Sequence, residues 1–249
     1  MATARAKKPP PRAPSAGYFA WSRDPAMSLF AVLPLWLLYE GLRLLLAPAE
    51  RNGAEVLVGE SLRALGPHAI TMMRLVVACT VLGAAWSLHR RDVPWVRVAA
   101  VIALEGAVYG LMLGPTASAL AASSPRLLIG VPAGRLAADL VASIGAGLFE
   151  ELVFRLALVS ILTLLLTRPC EVAHLPRTTA AVLAVVGAAF VFSLFHHVGP
   201  GAPPIERTVF VFRVAAGLLL GFLFVVRGFG VAVYTHALYD IHYYLTHHA

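Results

Sequence analysis

Apolar residues run in blocks of about twenty along this chain, parted by short stretches rich in arginine, proline and glycine. The blocks lack the period-two alternation of half-buried strands, and their length suits helices crossing a hydrocarbon layer at about 1.5 Å per residue. About seven spans are expected: 26–47, 69–89, 94–114, 138–166, 178–197, 208–226 and 228–247. Only the Arg227-Gly228 region parts the last two. The segment 115–136 carries Pro115, Pro125 and Pro132, and is expected as a loop or interfacial stretch because proline breaks a helix interior.

Composition agrees with the pattern. Of 249 residues, 59% are hydrophobic and 13% charged, with mean hydropathy +0.78. A soluble domain has about 25% charged residues, so a soluble fold is excluded. The expected class is all-α, a polytopic transmembrane helical bundle, since helices satisfy their own backbone in lipid. Three regions follow: a disordered basic, proline-rich tail over 1–25, N-terminal spans and an interfacial loop over 26–137, and a helical core over 138–247.

The net charge of +7 does not point to nucleic acid, because the basic residues lie in the tail and at span ends, with no basic surface stripe. The bilayer itself is the expected partner of that charge. Basic residues are denser in the tail, at Arg90, Arg91 and Arg97, at Arg168 and Arg177, and at Arg227 than in the alternate loops. That asymmetry predicts a cytoplasmic N-terminus in a multi-pass protein of a bacterial inner membrane. Cys79 and Cys170 define neither a disulfide framework nor a zinc knuckle.

Three polar motifs interrupt otherwise apolar segments. The first is Glu150-Glu151 with Arg155, the second Phe192 with His196, the third His236 with Asp240. Glu151/Arg155, Phe192/His196 and His236/Asp240 are each spaced i,i+4, so each pair shares a helix face. Ionisable groups in a bilayer are costly, which makes each a candidate site. Glu151 and Arg155 can satisfy one another as a buried ion pair, leaving Glu150 without a local cation and turned to a cavity or partner helix. Gly145, Ala146 and Gly147 permit close helix approach or access for a substrate backbone. Phe149, Phe154, Phe192 and Phe195 fit either an apolar substrate groove or ordinary packing. The other ionisables have simpler expectations: Glu40 with Arg43, Arg74 with Glu105, and Arg213 snorkelling at a membrane end.

Taken in order, Glu-Glu-x-x-x-Arg, Phe-x-x-x-His and His-x-x-x-Asx over 138–247, the chain resembles the CPBP family of intramembrane proteases, which includes the CAAX prenyl endopeptidases. The resemblance implies that Glu150 activates the attacking water and that His196 helps hold it. It assigns His236 to the oxyanion, puts Asp240 where the CAAX peptidases have asparagine, and leaves Glu151 and Arg155 as structural support. An ionised aspartate cannot donate as an asparagine amide does, so Asp240 must be protonated or act by orienting His236.

The expected activity is therefore an intramembrane endopeptidase that cuts a membrane-associated protein or peptide near its C-terminus. General-base chemistry needs no cofactor. The alternative is zinc on Glu150, His196, His236 and Asp240, though the spacing is not His-Glu-x-x-His. Two other functions compete: a non-catalytic membrane partner on the same fold, such as a bacteriocin-immunity or assembly factor, and a transporter or proton relay.

Overall fold

A computed structural model describes residues 17–45, 52–122, 136–199 and 202–247, and among these every regular element is helical. In chain order the helices are α1 (Tyr18–Ser22), α2 (Pro25–Leu45), α3 (Gly53–Ala64), α4 (Ala69–Arg90) and α5 (Trp95–Leu120). Then follow α6 (Leu136–Glu150), a π-helical stretch (Glu151–Val159), α7 (Ser160–Val172), α8 (Arg177–Phe195), α9 (Arg207–Arg227) and α10 (Phe229–His247).

Five of these are long and apolar enough to cross a membrane: α2, α4, α5, Thr178–Phe195 of α8, and α9. The protein is an integral membrane helical bundle. The other two expected spans are the exceptions, and they carry the motifs. Leu136–Val172 is helical throughout but changes to π geometry just after Glu150. Helix α10 is diluted by His236, Asp240, His242 and its tyrosines. The elements least suited to lipid are thus those that bear the polar chemistry.

Helix α10 is the centre of the bundle, packed on α2, α5, α6, α9 and the π segment. Glycines set how close its neighbours come. Gly106, Gly110 and Gly114 recur every fourth residue on α5 and face α10. A Cβ at Gly106 would lie 2.4 Å from Cβ of Tyr234, and one at Gly110 would lie 3.0 Å from the Thr235 carbonyl oxygen. On the opposite flank, a Cβ at Gly147 of α6 would lie 2.7 Å from the Ala237 nitrogen. Without side chains there, backbones meet directly, which is how helices associate where lipid supplies no hydrophobic drive. Of the two uses open to the Gly145–Gly147 run, close approach is the one both glycines take: Gly145 lies against the Tyr39 ring.

Several expectations need correction. Helix α5 continues through Pro115 to Leu120, so its end lies beyond 114; residues 123–135 are outside the described residues. The tail expected over 1–25 is ordered at its end. Residues 1–16 lie outside the description, but α1 docks with Ser22 fully buried. It does so because Tyr18 and Phe19 have somewhere to go: the Arg227 guanidinium lies 4.3 Å from the Phe19 ring centre and 5.3 Å from that of Tyr18. Asp24 then caps α2, accepting from the Met27 amide at 3.0 Å with Pro25 at the first helical position. A hydrogen bond from Arg91 holds the Asp24 carboxyl below its ordinary range.

The pairs expected on the spans also re-sort. Glu105 takes two bonds from Arg227, at 2.6 and 2.8 Å, and one from Tyr18, rather than meeting Arg74. Arg43 reaches Glu55 of α3 at 2.6 Å, while Glu40 accepts from the Trp36 indole at 3.3 Å. Glu105 and Arg43 each exchange a local or neighbouring partner for one between helices, where a charge has more need of one, while Glu40 keeps a local one.

Candidate active site

Four elements bring the motif residues together: the α6–π junction, the C-terminus of α8, the middle of α10, and the N-terminus of α3. Glu150 is the last α-helical residue of its stretch and Glu151 the first of the π-helical one. Widening the helix at that step lets two consecutive carboxylates address one histidine. Such π segments recur at functional sites.

His236 is that histidine. Its Nδ1 lies 2.7 Å from Oε1 of Glu151, so the ring donates to a fully buried carboxylate. Its Nε2 faces Oε2 of Glu150 at 3.7 Å and Oδ2 of Asp240 at 3.6 Å. Both are too long for direct hydrogen bonds. The ring is therefore oriented by Glu151, and Asp240 shares the space in front of Nε2 with Glu150. Asp240 makes no direct hydrogen bond to His236 among the described residues.

His196 caps the end of α8. Its Nδ1 lies 2.8 Å from the Phe192 carbonyl oxygen one turn back, which leaves Nε2 turned towards Oε1 of Glu150 at 3.7 Å. The Phe192 ring stands edge-on to the imidazole, 4.9 Å between centres. Phe192 also packs edge-on to Phe154, and both are buried, so these two serve packing rather than a groove. Next door, His197 meets Arg213 at 3.4 Å. Arg213 is half-buried and turned inward from α9 rather than reaching out of the bundle.

Glu151 also meets Arg155, with 2.9 Å between Oε1 and Nη1. The contact is an ion pair without hydrogen-bond alignment, since neither terminal nitrogen of Arg155 has an aligned acceptor among the described residues. The guanidinium lies instead 4.4 Å from the Phe192 ring centre. Burial grades across the centre: Glu150 is 4% exposed and His236 6%, whereas the side chains of His196 and Asp240 are 25% and 22% exposed. The open edge lies between the last two.

Sequence reasoning missed one contact entirely. Asn52, outside all three motifs, donates from Nδ2 to Oε1 of Glu150 at 2.6 Å. Its Oδ1 accepts from the Ala54 amide at 2.8 Å and so caps α3. The signal was present as Asn52-Gly53-Ala54-Glu55, a helix start with an acid three residues after the cap. As candidate zinc ligands, Glu150, His196, His236 and Asp240 do not fit as they stand. No group of three His, Cys, Asp or Glu side chains among the described residues is arranged to hold a metal ion.

No curated protein and no solved structure matches the chain at a significant level. Residues 132–242 match the family model for type II CAAX prenyl endopeptidase Rce1-like proteins, and this stretch contains Glu150, Glu151, Arg155, His196, His236 and Asp240. Through that core, less than half of its length, the chain is similar to the Rce1-like type II CAAX prenyl endopeptidases.

Proposed function

We propose that the protein is an intramembrane endopeptidase that uses Glu150 to activate water against a peptide bond near the C-terminus of a membrane-associated protein or peptide. One observation carries this reading: a buried carboxylate with an imidazole nitrogen 3.7 Å from each of its oxygens. The Nδ1 bond of His196 to a carbonyl leaves its Nε2 as an acceptor facing an acceptor. A water between them satisfies both by donating one proton to each, which turns its lone pair outward. Glu150 takes a proton as the water attacks and gives it to the amine nitrogen as the tetrahedral adduct collapses and the C–N bond breaks.

His236 has the complementary task. Glu151 lies on one ring nitrogen, and Glu150 and Asp240 face the other, so a doubly protonated ring would be surrounded by three carboxylates. A proton on Nε2 is a donor for the oxyanion that forms on the carbonyl. Asp240 supports that proton from the open edge of the site. The donor asparagine provides in CAAX peptidases is thus supplied here by the ring. No step in this scheme requires a metal. Cleavage is expected to persist after exhaustive chelation and dialysis; loss restored by added zinc would overturn that part.

The test of the whole reading compares protein termini in membranes of cells carrying wild type or Glu150→Ala at matched abundance. Termini present only with wild type are expected, since losing a general base costs about 10²–10⁴-fold. Identical termini would replace this reading with a non-catalytic partner on the same fold. The substrate is a chain whose C-terminal segment reaches the bilayer, prenylated or not, and the setting is a bacterial inner membrane with the N-terminus inside.

A further inference from the structure

Asn52 lies outside the family-matched stretch, yet it makes the shortest polar contact that Glu150 has among the described residues. The contact is 2.6 Å, against 3.7 Å to each imidazole. A carboxylate oxygen with two acceptor directions, held along one of them by an amide, has its remaining direction fixed in space. The oxygen so held is Oε1, the one that faces His196. The amide itself has no freedom to swing. Its Oδ1 is committed to the Ala54 amide at the start of α3, which sets which way Nδ2 points.

Helix α3 is pinned in turn. Ala54 is fully buried, and Glu55 takes bonds from the Tyr39 hydroxyl at 2.7 Å and from Arg43 at 2.6 Å, both on α2. Gly53 packs on the Phe195 ring, next to His196: a Cβ there would lie 3.1 Å from it. Polar contacts from α2 thus hold Glu55 in the first turn of α3, and the residue that caps this turn, Asn52, ends on the carboxylate.

We propose that Asn52 is a positioning residue for Glu150: its side-chain amide holds the carboxylate oxygen that faces His196 in the orientation that abstracts a proton. The inference rests on the reading of Glu150 as the general base. It assigns a part in the reaction to the N-terminal half of the chain, which no motif reaches.

Two functions of one side chain must be separated, since Asn52 also caps a helix. Aspartate and serine cap as well as asparagine does, but aspartate has no proton to give and serine's hydroxyl is too short to keep both bonds. Asn52→Asp, Asn52→Ser, Asn52→Ala and Glu150→Ala are therefore compared in the full chain, purified in detergent for thermal unfolding. The same four are compared in membranes for the rate at which the wild-type-dependent termini appear. The serine variant is expected to unfold near the wild-type temperature and the aspartate variant below it, since its carboxylate meets that of Glu150; both are expected to cleave at least about tenfold more slowly, the scale of a hydrogen bond to a charged group. The alanine variant is expected to lose both.

If Asn52→Asp and Asn52→Ser both cleave at the wild-type rate while Glu150→Ala does not cleave, Asn52 is only a helix cap and the inference is overturned, with the reading of Glu150 intact. If Glu150→Ala leaves the termini unchanged, that reading falls, and the role of Asn52 with it. A folding defect in Asn52→Asp is covered by the serine variant, and by the exchange Asn52→Asp with Glu150→Gln. The exchange reverses donor and acceptor, and is expected to regain the unfolding temperature but no cleavage. An exchange that unfolds no later than Asn52→Asp alone would show that the two side chains do not pair, and would likewise overturn the inference.

Discussion

At the scale of single residues, the two adjacent glutamates divide the work that their identity conceals. Glu150 faces imidazoles at distances that leave room for a reactant; Glu151 is fully buried in close contact with His236 and Arg155. Removing one partner of a buried pair leaves the other uncompensated, at a cost of about 3–5 kcal/mol. Glu151→Ala is therefore expected to lower stability by about that much and to lower the yield of folded protein. Glu150→Ala is expected to abolish cleavage with a far smaller loss of stability, since it leaves no buried cation unpaired and the freed amide of half-buried Asn52 can meet water where it stands. Denaturant unfolding of both variants in the same detergent checks the order; a Glu150→Ala protein less stable than Glu151→Ala would contradict this division.

Helices are the next scale, and here the spacing of α5 makes a sharp forecast. Gly110 has the backbone of α10 within 3.0–3.4 Å of where a Cβ would sit, whereas Gly83 of α4 has nothing within 4 Å. Gly110→Ala is expected to cost about 1–3 kcal/mol through overpacking. Gly83→Ala is expected to be neutral or stabilising by about 0.5–1 kcal/mol, as for any glycine in a helix interior. Thermal unfolding of the two single variants separates the cases, and equal effects would mean the α5–α10 contact is not as close as described.

The same scale shows what was legible from the chain alone. Long apolar runs announce α2, α4, α5, α8 and α9 because a lipid-facing helix has little else to say. The i,i+4 motif pairs can be placed on helix faces because that spacing is local. Helix α3 escapes notice, since its mixture of Val56, Leu57, Glu55, Glu60 and Arg63 reads as a polar connection until Asn52 is recognised as its cap. The partnership of Asn52 with Glu150, 98 residues apart, and that of Glu105 with Arg227, 122 apart, are products of packing that no spacing rule contains. Nor does the sequence announce the π geometry after Glu150, which decides that Glu151 rather than Asp240 orients His236.

For the molecule as a whole, the direction of the helices ties the site to one side of the membrane. Helices α2, α5 and α10 run parallel, as the contacts of Gly230 with Ser28 and Ile102 at one end and of Gly114 with Tyr239 towards the other require. The site lies in the later half of α10, close to where α8 ends and α3 begins. On the proposed topology, with the N-terminus inside, it opens towards the outer side. A cysteine placed at Ala202, between α8 and α9, is expected to react with a membrane-impermeant maleimide in intact cells. One at Asp92, between α4 and α5, is expected to react only after permeabilisation. The opposite pattern would move the active centre, and any substrate end that reaches it, to the cytoplasmic side.

A π-helical stretch has the form of an α-helix with a surplus residue accommodated in its turns. Between Glu151 and Val159 this surplus sits between the glutamates and α7, so the frame of everything before it is offset from everything after. Excising one residue from Leu156–Val159 would let the hydrogen bonds close in the ordinary frame. The flanks would keep roughly their facing, but the widened turn that lets both glutamates address His236 would be lost. For this chain a deletion of a single codon in an apolar, chemically bland segment is thus as severe for catalysis as the loss of a motif residue, while a substitution at exposed Leu156 passes almost unnoticed.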